Sequence, residues 1–136
     1  MSKYSIKFDP SFLKSGNLDI VVAGCGGTGS KLVPLLVQHI HALNQKYFSL
    51  KIRLCLYDFD IVELKNVKRQ NFFEFDVGKY KSEALAERYS SLYGITIDYS
   101  KGRFVANNHK FYTNRNIFHH YNTLVFLDCT DSISSR

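Results

Sequence analysis

The sequence predicts an α/β fold of the Rossmann-like kind, a mainly parallel sheet with helices on both faces. Three observations carry that prediction. The apolar run LDIVVAG at residues 18–24 leads straight into a glycine-rich turn and then an amphipathic stretch, the order strand, turn, helix. A second run, KIRLCLYD at 51–58, alternates and ends in an acid, and a later apolar run, NTLVFLDCTD at 122–131, also ends in acids. Strands that alternate with helices over this length build a parallel sheet, and such sheets bind ligands at the carboxyl ends of their strands.

Taken in order, LDIVVAG is rich in β-branched residues and reads as a buried parallel strand. The helix that follows spans about residues 28–44, with Leu32, Leu35, Leu36, Ile40 and Leu43 on one apolar stripe. Pro34 falls within its first turn or two, where a missing amide donor costs less than in mid-helix. After the strand at 51–58, residues 59–76 are too polar and irregular for an element and read as a long functional loop. A second helix within 77–94 puts Ala84, Leu85, Arg88 and Leu92 at helical spacing and stops at Gly94. Residues 95–105 read as a third strand, 107–121 as a short helix with loops, and 122–131 as the fourth strand. Little sequence follows, so the fold is expected to be incomplete at its C-terminal end.

With 136 residues and 45% hydrophobic composition, the chain fits one globular domain over residues 1–136. It contains no apolar run of membrane-spanning length and no charged-then-apolar leader, so a soluble, cytoplasmic protein without a membrane partner is expected. Cys25, Cys55 and Cys129 are odd in number and form no CxxC pair, which argues against a disulfide framework or a zinc ribbon. The net charge of +6 divides into nine lysines and arginines against five acids in residues 1–68 and nine against seven thereafter. There is no run of like charge, and phosphate ligands account for the balance as well as nucleic acid would. The aromatics and basic residues of 107–122 lack any nucleic-acid motif and are expected to pack on the sheet rather than stack on RNA.

Gly24, Gly26 and Gly29 satisfy GxGxxG between a strand and a helix. That pattern lets backbone approach a phosphate while free helix amides face its charge. Alone it does not choose between NAD, FAD and ATP, and it could serve as a tight turn only. Asp58 and Asp60 close the second strand on one shared face, where an acid accepts ribose hydroxyls or caps the following loop. NVKRQ, VGKYK and LDCTD then add a guanidinium, an ammonium and two spaced carboxylates after successive elements. Such a set suits a triphosphate with its magnesium, and hydride transfer needs none of it. Cys25 stands among helix amides that could lower a thiol pKa, with a small packing residue as the preferred reading. The histidines have no spacing usable for a metal.

In order along the chain, GCGGTGS, YDFDIVELKNVKRQ, DVGKYKSEAL and FLDCTDSISSR resemble the adenylating domain shared by ThiF, MoeB and the ubiquitin-activating enzymes, over roughly residues 18–136. GCGGTGS, the long first helix and NVKRQNFFEFDVG are also similar to the ThiF-like proteins of plasmid-borne PRTRC systems. The resemblance implies one ATP-binding adenylation domain over 1–136, the N-terminal half of a longer fold. It implies that Gly24, Gly26, Gly27 and Gly29 line the ATP phosphates and that Asp58 holds the ribose, with Asp60 beside it. Asn66, Arg69 and Gln70 would surround the nucleotide, Lys81 would contact the phosphates, and Asp131 would hold magnesium. Arg69, Lys81 and Asp131 then form the implied catalytic set, and Lys79 is only the adjacent lysine.

The implied activity is that of an ATP-dependent adenylyltransferase. It activates a carboxylate, the C-terminal glycine of a ubiquitin-like or sulfur-carrier protein, releases pyrophosphate, and works as a homodimer. Family members often carry an N-terminal arginine that reaches into the partner subunit's site, whereas residues 1–17 contain none and offer Lys3, Lys7 and Lys14. The family's acceptor cysteine and zinc cysteines would fall beyond residue 136. Two other readings stay open on the residues alone: an NAD- or FAD-binding Rossmann oxidoreductase domain, and a non-catalytic nucleotide-binding scaffold.

Overall fold

Four of the expected runs become strands of one sheet in the computed structural model, which describes residues 16–102, 110–112, 117–119 and 123–131. In chain order the elements are β1 (Asn17–Ala23), α1 (Gly29–Lys46), β2 (Lys51–Tyr57), α2 (Lys81–Tyr93), β3 (Ile97–Ser100), β4 (Lys110–Tyr112), β5 (Ile117–His119) and β6 (Thr123–Asp128). The sheet order is β3-β2-β1-β6, with every pair parallel. Register pairs Ala23 with Tyr57, Tyr57 with Ser100, and Ala23 with Asp128. All four strands therefore end level, and the segments leaving them meet at one edge.

Alternation along the strands sends Ile20, Val22, Leu54, Leu56 and Ile97 to one face, where α1 and α2 both pack. The other face buries Val21, Cys55 and Tyr57, joined by Leu124, and carries no helix among the described residues. On that face Asp19 lies opposite Arg53 in register and is 2% exposed. The guanidinium grips it at 2.7 and 3.0 Å, the bidentate geometry that makes a buried carboxylate tolerable.

The buried stripe of α1 is Gly29, Ser30, Val33, Val37 and Ile40; of the expected stripe Ile40 is buried and Leu36 packs against the core, while Leu35 is 55% exposed. The helix is apolar on most sides, so spacing left its rotation open. Gly29 settles it: a Cβ there would fall 1.8 Å from the Gly24 carbonyl oxygen, so this side must face inward. Val33, Val37 and Ile40 follow at one-turn intervals, and burying each contributes about 1.5–3 kcal/mol.

In α2, Ala84 and Leu85 are buried as expected, but Leu92 is 68% exposed and Tyr89 takes the core position. Gly94 ends the helix in the left-handed region, donating its amide to Ser90 O at 2.9 Å. The expected short helix in 107–121 is replaced, where described, by the antiparallel pair β4 and β5. Aromatic and β-branched residue types at 111, 112, 117 and 118 favour strand over helix, and three-residue strands are too short to show alternation.

Candidate functional site

The four glycines of the turn leaving β1 have different jobs. Gly24 has φ +94 and donates its amide to Tyr57 O at 2.8 Å, and a Cβ there would lie 2.8 Å from the Cys129 carbonyl. Gly24 and Gly29 are thus required by the protein's own packing. Gly26 and Gly27 are not. The nearest atom to a Gly26 Cβ is Gln70 Nε2 at 3.7 Å, a Gly27 Cβ would meet nothing within 4 Å, and neither residue has positive φ. The backbone amides of Gly26, Gly27, Thr28 and Gly29 donate to no acceptor among the described residues, which leaves a cluster of N–H groups at the positive end of α1.

Asp58 ties β2 to this turn. Its carboxylate accepts the amide of Cys25 at 2.6 Å and that of Asp60 at 2.7 Å. Burial pushes its pKa up from the ordinary 3.8, outweighing the two amide bonds that pull it down. The strand ends at Tyr57, so Asp58 and Asp60 do not close it on a shared face. The Asp58 carboxylate instead bends the chain by taking the amide two residues on. Asp60 points outward with its side chain 56% exposed, and its carbonyl accepts the Lys81 amide at 2.9 Å.

Lys81 opens α2 with its side chain only 8% exposed. Its Nζ lies 3.7 Å from Asp60 Oδ2 and has no hydrogen bond among the described residues. A nearly buried ammonium served by one distant carboxylate has donors to spare. Lys79 is exposed and paired with Glu87 at 3.0 Å, which raises its pKa.

Asn66 is buried and spends its side chain on its own loop, accepting the Glu63 amide at 2.8 Å. Its carbonyl accepts the amides of Arg69 at 3.1 Å and Gln70 at 2.8 Å, so it shapes the turn that carries them. Arg69 is exposed, with no side-chain partner among the described residues. Gln70 brings its Nε2 beside Gly26 and holds a buried Oε1 without a hydrogen-bond partner among the described residues. Sequence reasoning passed over what anchors this loop. Asn71 bonds to Ser30 and Tyr89, while Arg88 pairs with buried Asp76 and stacks on Phe73 with its guanidinium 4.7 Å from the ring centre.

At the end of β6, Cys129 donates its amide to Ala23 O at 2.8 Å and packs against Gly24. Asp128 Oδ1 accepts the amide and hydroxyl of Thr130 at 3.0 and 2.6 Å. Asp131 follows, exposed and without a side-chain partner among the described residues. No three His, Cys, Asp or Glu side chains among the described residues form a metal cage. Magnesium here would suit the arrangement in which one or two carboxylates share the ion with phosphates and water. Cys25 is fully buried and its thiol is pushed well above its ordinary pKa, by burial first and Asp58 second, so it is a packing residue. Cys55 is also buried, and Cys129 is raised by burial and then by Asp128.

Parallel strands ending level around a glycine turn that opens a helix define a Rossmann-like α/β domain. The chain belongs to the ThiF family, whose model matches residues 6–136. No curated protein matches the chain. ThiF family members are generally ATP-binding adenylyltransferases that work with ubiquitin-like or sulfur-carrier proteins. No helix among the described residues is long and apolar enough to cross a membrane.

Proposed function

We propose that this chain binds magnesium-ATP over the turn at 24–30 and transfers AMP to a carboxylate, the C-terminal glycine of a ubiquitin-like or sulfur-carrier protein. The division of labour among the glycines carries the reading. Gly24 and Gly29 are explained by contacts within the chain, whereas Gly26 has only the end of Gln70 at van der Waals distance and Gly27 has open space, beside four amides without an acceptor among the described residues. An alanine would fit the protein at position 27, so the glycine there is explained by room for a phosphate.

The carboxylate nucleophile is already ionised and needs no base. Its oxygen forms a bond to the α-phosphorus, the bond to the pyrophosphate oxygen breaks, and pyrophosphate leaves with that electron pair. The barrier is charge repulsion, so the protein's task is electrostatic. Lys81 supplies a poorly solvated ammonium and Arg69 an exposed guanidinium, with Gln70 beside the turn. Asp58 holds the turn in register with β2, and its remaining lone pairs, with the exposed carboxylate of Asp60, would serve as acceptors for the ribose hydroxyls. Asp131 would hold magnesium, which when bound offsets phosphate charge.

Calorimetric titration with magnesium-ATP tests the reading. Binding is expected in the wild type and loss of at least about tenfold in affinity in Arg69→Ala and Lys81→Ala. Unchanged affinity in both variants contradicts the assignment, and stabilisation against heat by NAD but not ATP would instead favour a dinucleotide domain. Pyrophosphate exchange that depends on an added ubiquitin-like protein tests the transfer step.

A further inference from the structure

The loop carrying Arg69 and Gln70 has a specific anchor on the glycine turn. Pro34 lies inside α1 and has no N–H for the carbonyl four residues earlier, which belongs to Ser30. That carbonyl is buried and would lack its helical donor. Asn71 supplies one: its Nδ2 donates to Ser30 O at 2.9 Å and to the Tyr89 hydroxyl at 2.8 Å, while its backbone amide donates to Ser30 Oγ at 3.0 Å. From α2, Arg88 donates to the Asn71 carbonyl at 3.0 Å. One residue thus joins the crossover loop, the last residue of GCGGTGS and the second helix. Its immediate neighbour, Gln70, is thereby seated beside Gly26.

We propose that Asn71 is a positioning residue for the nucleotide site, locking the loop that bears Arg69 and Gln70 onto Ser30 of the glycine turn. This rests on the nucleotide-binding reading above and adds to it the means by which two parts of the chain 41 positions apart are held in register. Asn71 directs its side chain and backbone to Ser30, Tyr89 and Arg88. Its effect on ATP passes through the residues beside it, because a small shift of a charged clamp from its working geometry is costly.

Two measurements on Asn71→Ala separate this role from general packing. First, trypsin cleavage at Lys65, Lys68 and Arg69 in the nucleotide-free protein should speed up at least about fivefold, at a temperature where circular dichroism shows the variant still folded. Second, magnesium-ATP affinity should fall about tenfold in the wild-type background and by less than about twofold in an Arg69→Ala background. Equal losses in the two backgrounds, or unchanged trypsin protection, would overturn the proposal. If wild-type protein binds no ATP, the function reading fails, and the protease measurement alone still decides whether Asn71 locks the loop. Should Asn71→Ala not fold, Ser30→Ala removes only the Oγ acceptor and is expected to show the same two effects in weaker form.

Discussion

Asp58 accepts the backbone N–H of Cys25 at 2.6 Å, so the acid that follows one strand holds the turn that leaves its neighbour. Because burial raises its pKa from the ordinary 3.8, the folded protein binds the Asp58 proton more tightly than the unfolded chain does. Between 3.8 and the raised native value, stability due to this group falls as pH rises, and above that value it levels off. Melting curves across that range for wild type and Asp58→Asn should show this downward step in the wild type only. An upward step in the wild type would mean that the amide bonds outweigh burial.

Lys81 and Lys79 make opposite predictions from positions two residues apart. Lys81→Ala removes a nearly buried ammonium with no hydrogen bond among the described residues and should weaken magnesium-ATP binding about 10- to 100-fold. Lys79→Ala breaks an exposed pair with Glu87 and should leave that affinity unchanged. Titrating both variants at one salt concentration checks the contrast, which disappears if Lys81 serves only to pair with Asp60.

Cys25 lies within the glycine turn yet is fully buried with a raised pKa, so it should resist thiol reagents in the native protein. Half-buried Cys129 should be modified first, and Cys25→Ala should retain magnesium-ATP binding within about twofold. Rapid modification of Cys25 in the native state, followed by mass spectrometry, would show that the turn opens.

Much of this was legible in the sequence, and the parts that were not have physical causes. LDIVVAG, GCGGTGS and KIRLCLYD carry local signals, and strand, turn, helix and strand form within a residue or two of where those signals put them. The rotation of α1 was hidden because its apolar residues run nearly all the way round. Only the approach of Gly29 to the Gly24 carbonyl selects the valine side. The Asn71–Ser30 and Asp76–Arg88 contacts gave no signal, since they join residues 41 and 12 positions apart through geometry rather than motif. The bond by which the Asn66 side-chain oxygen shapes its own turn likewise belongs to geometry that the motif does not announce. The membership of Gly26 and Gly27 in the motif was visible, while the open space at Gly27 was not.

The most direct measurement is calorimetric titration of magnesium-ATP into Gly27→Ala beside wild type. Apart from its chain neighbours, no atom of the described residues lies within 4 Å of the new methyl group and the backbone there has no positive φ, so the variant should fold with unchanged melting temperature. If the turn grips the nucleotide's phosphates, affinity falls about tenfold or more, a loss of about 1.4 kcal/mol at least. Equal affinity in the two proteins would contradict phosphate binding at this turn.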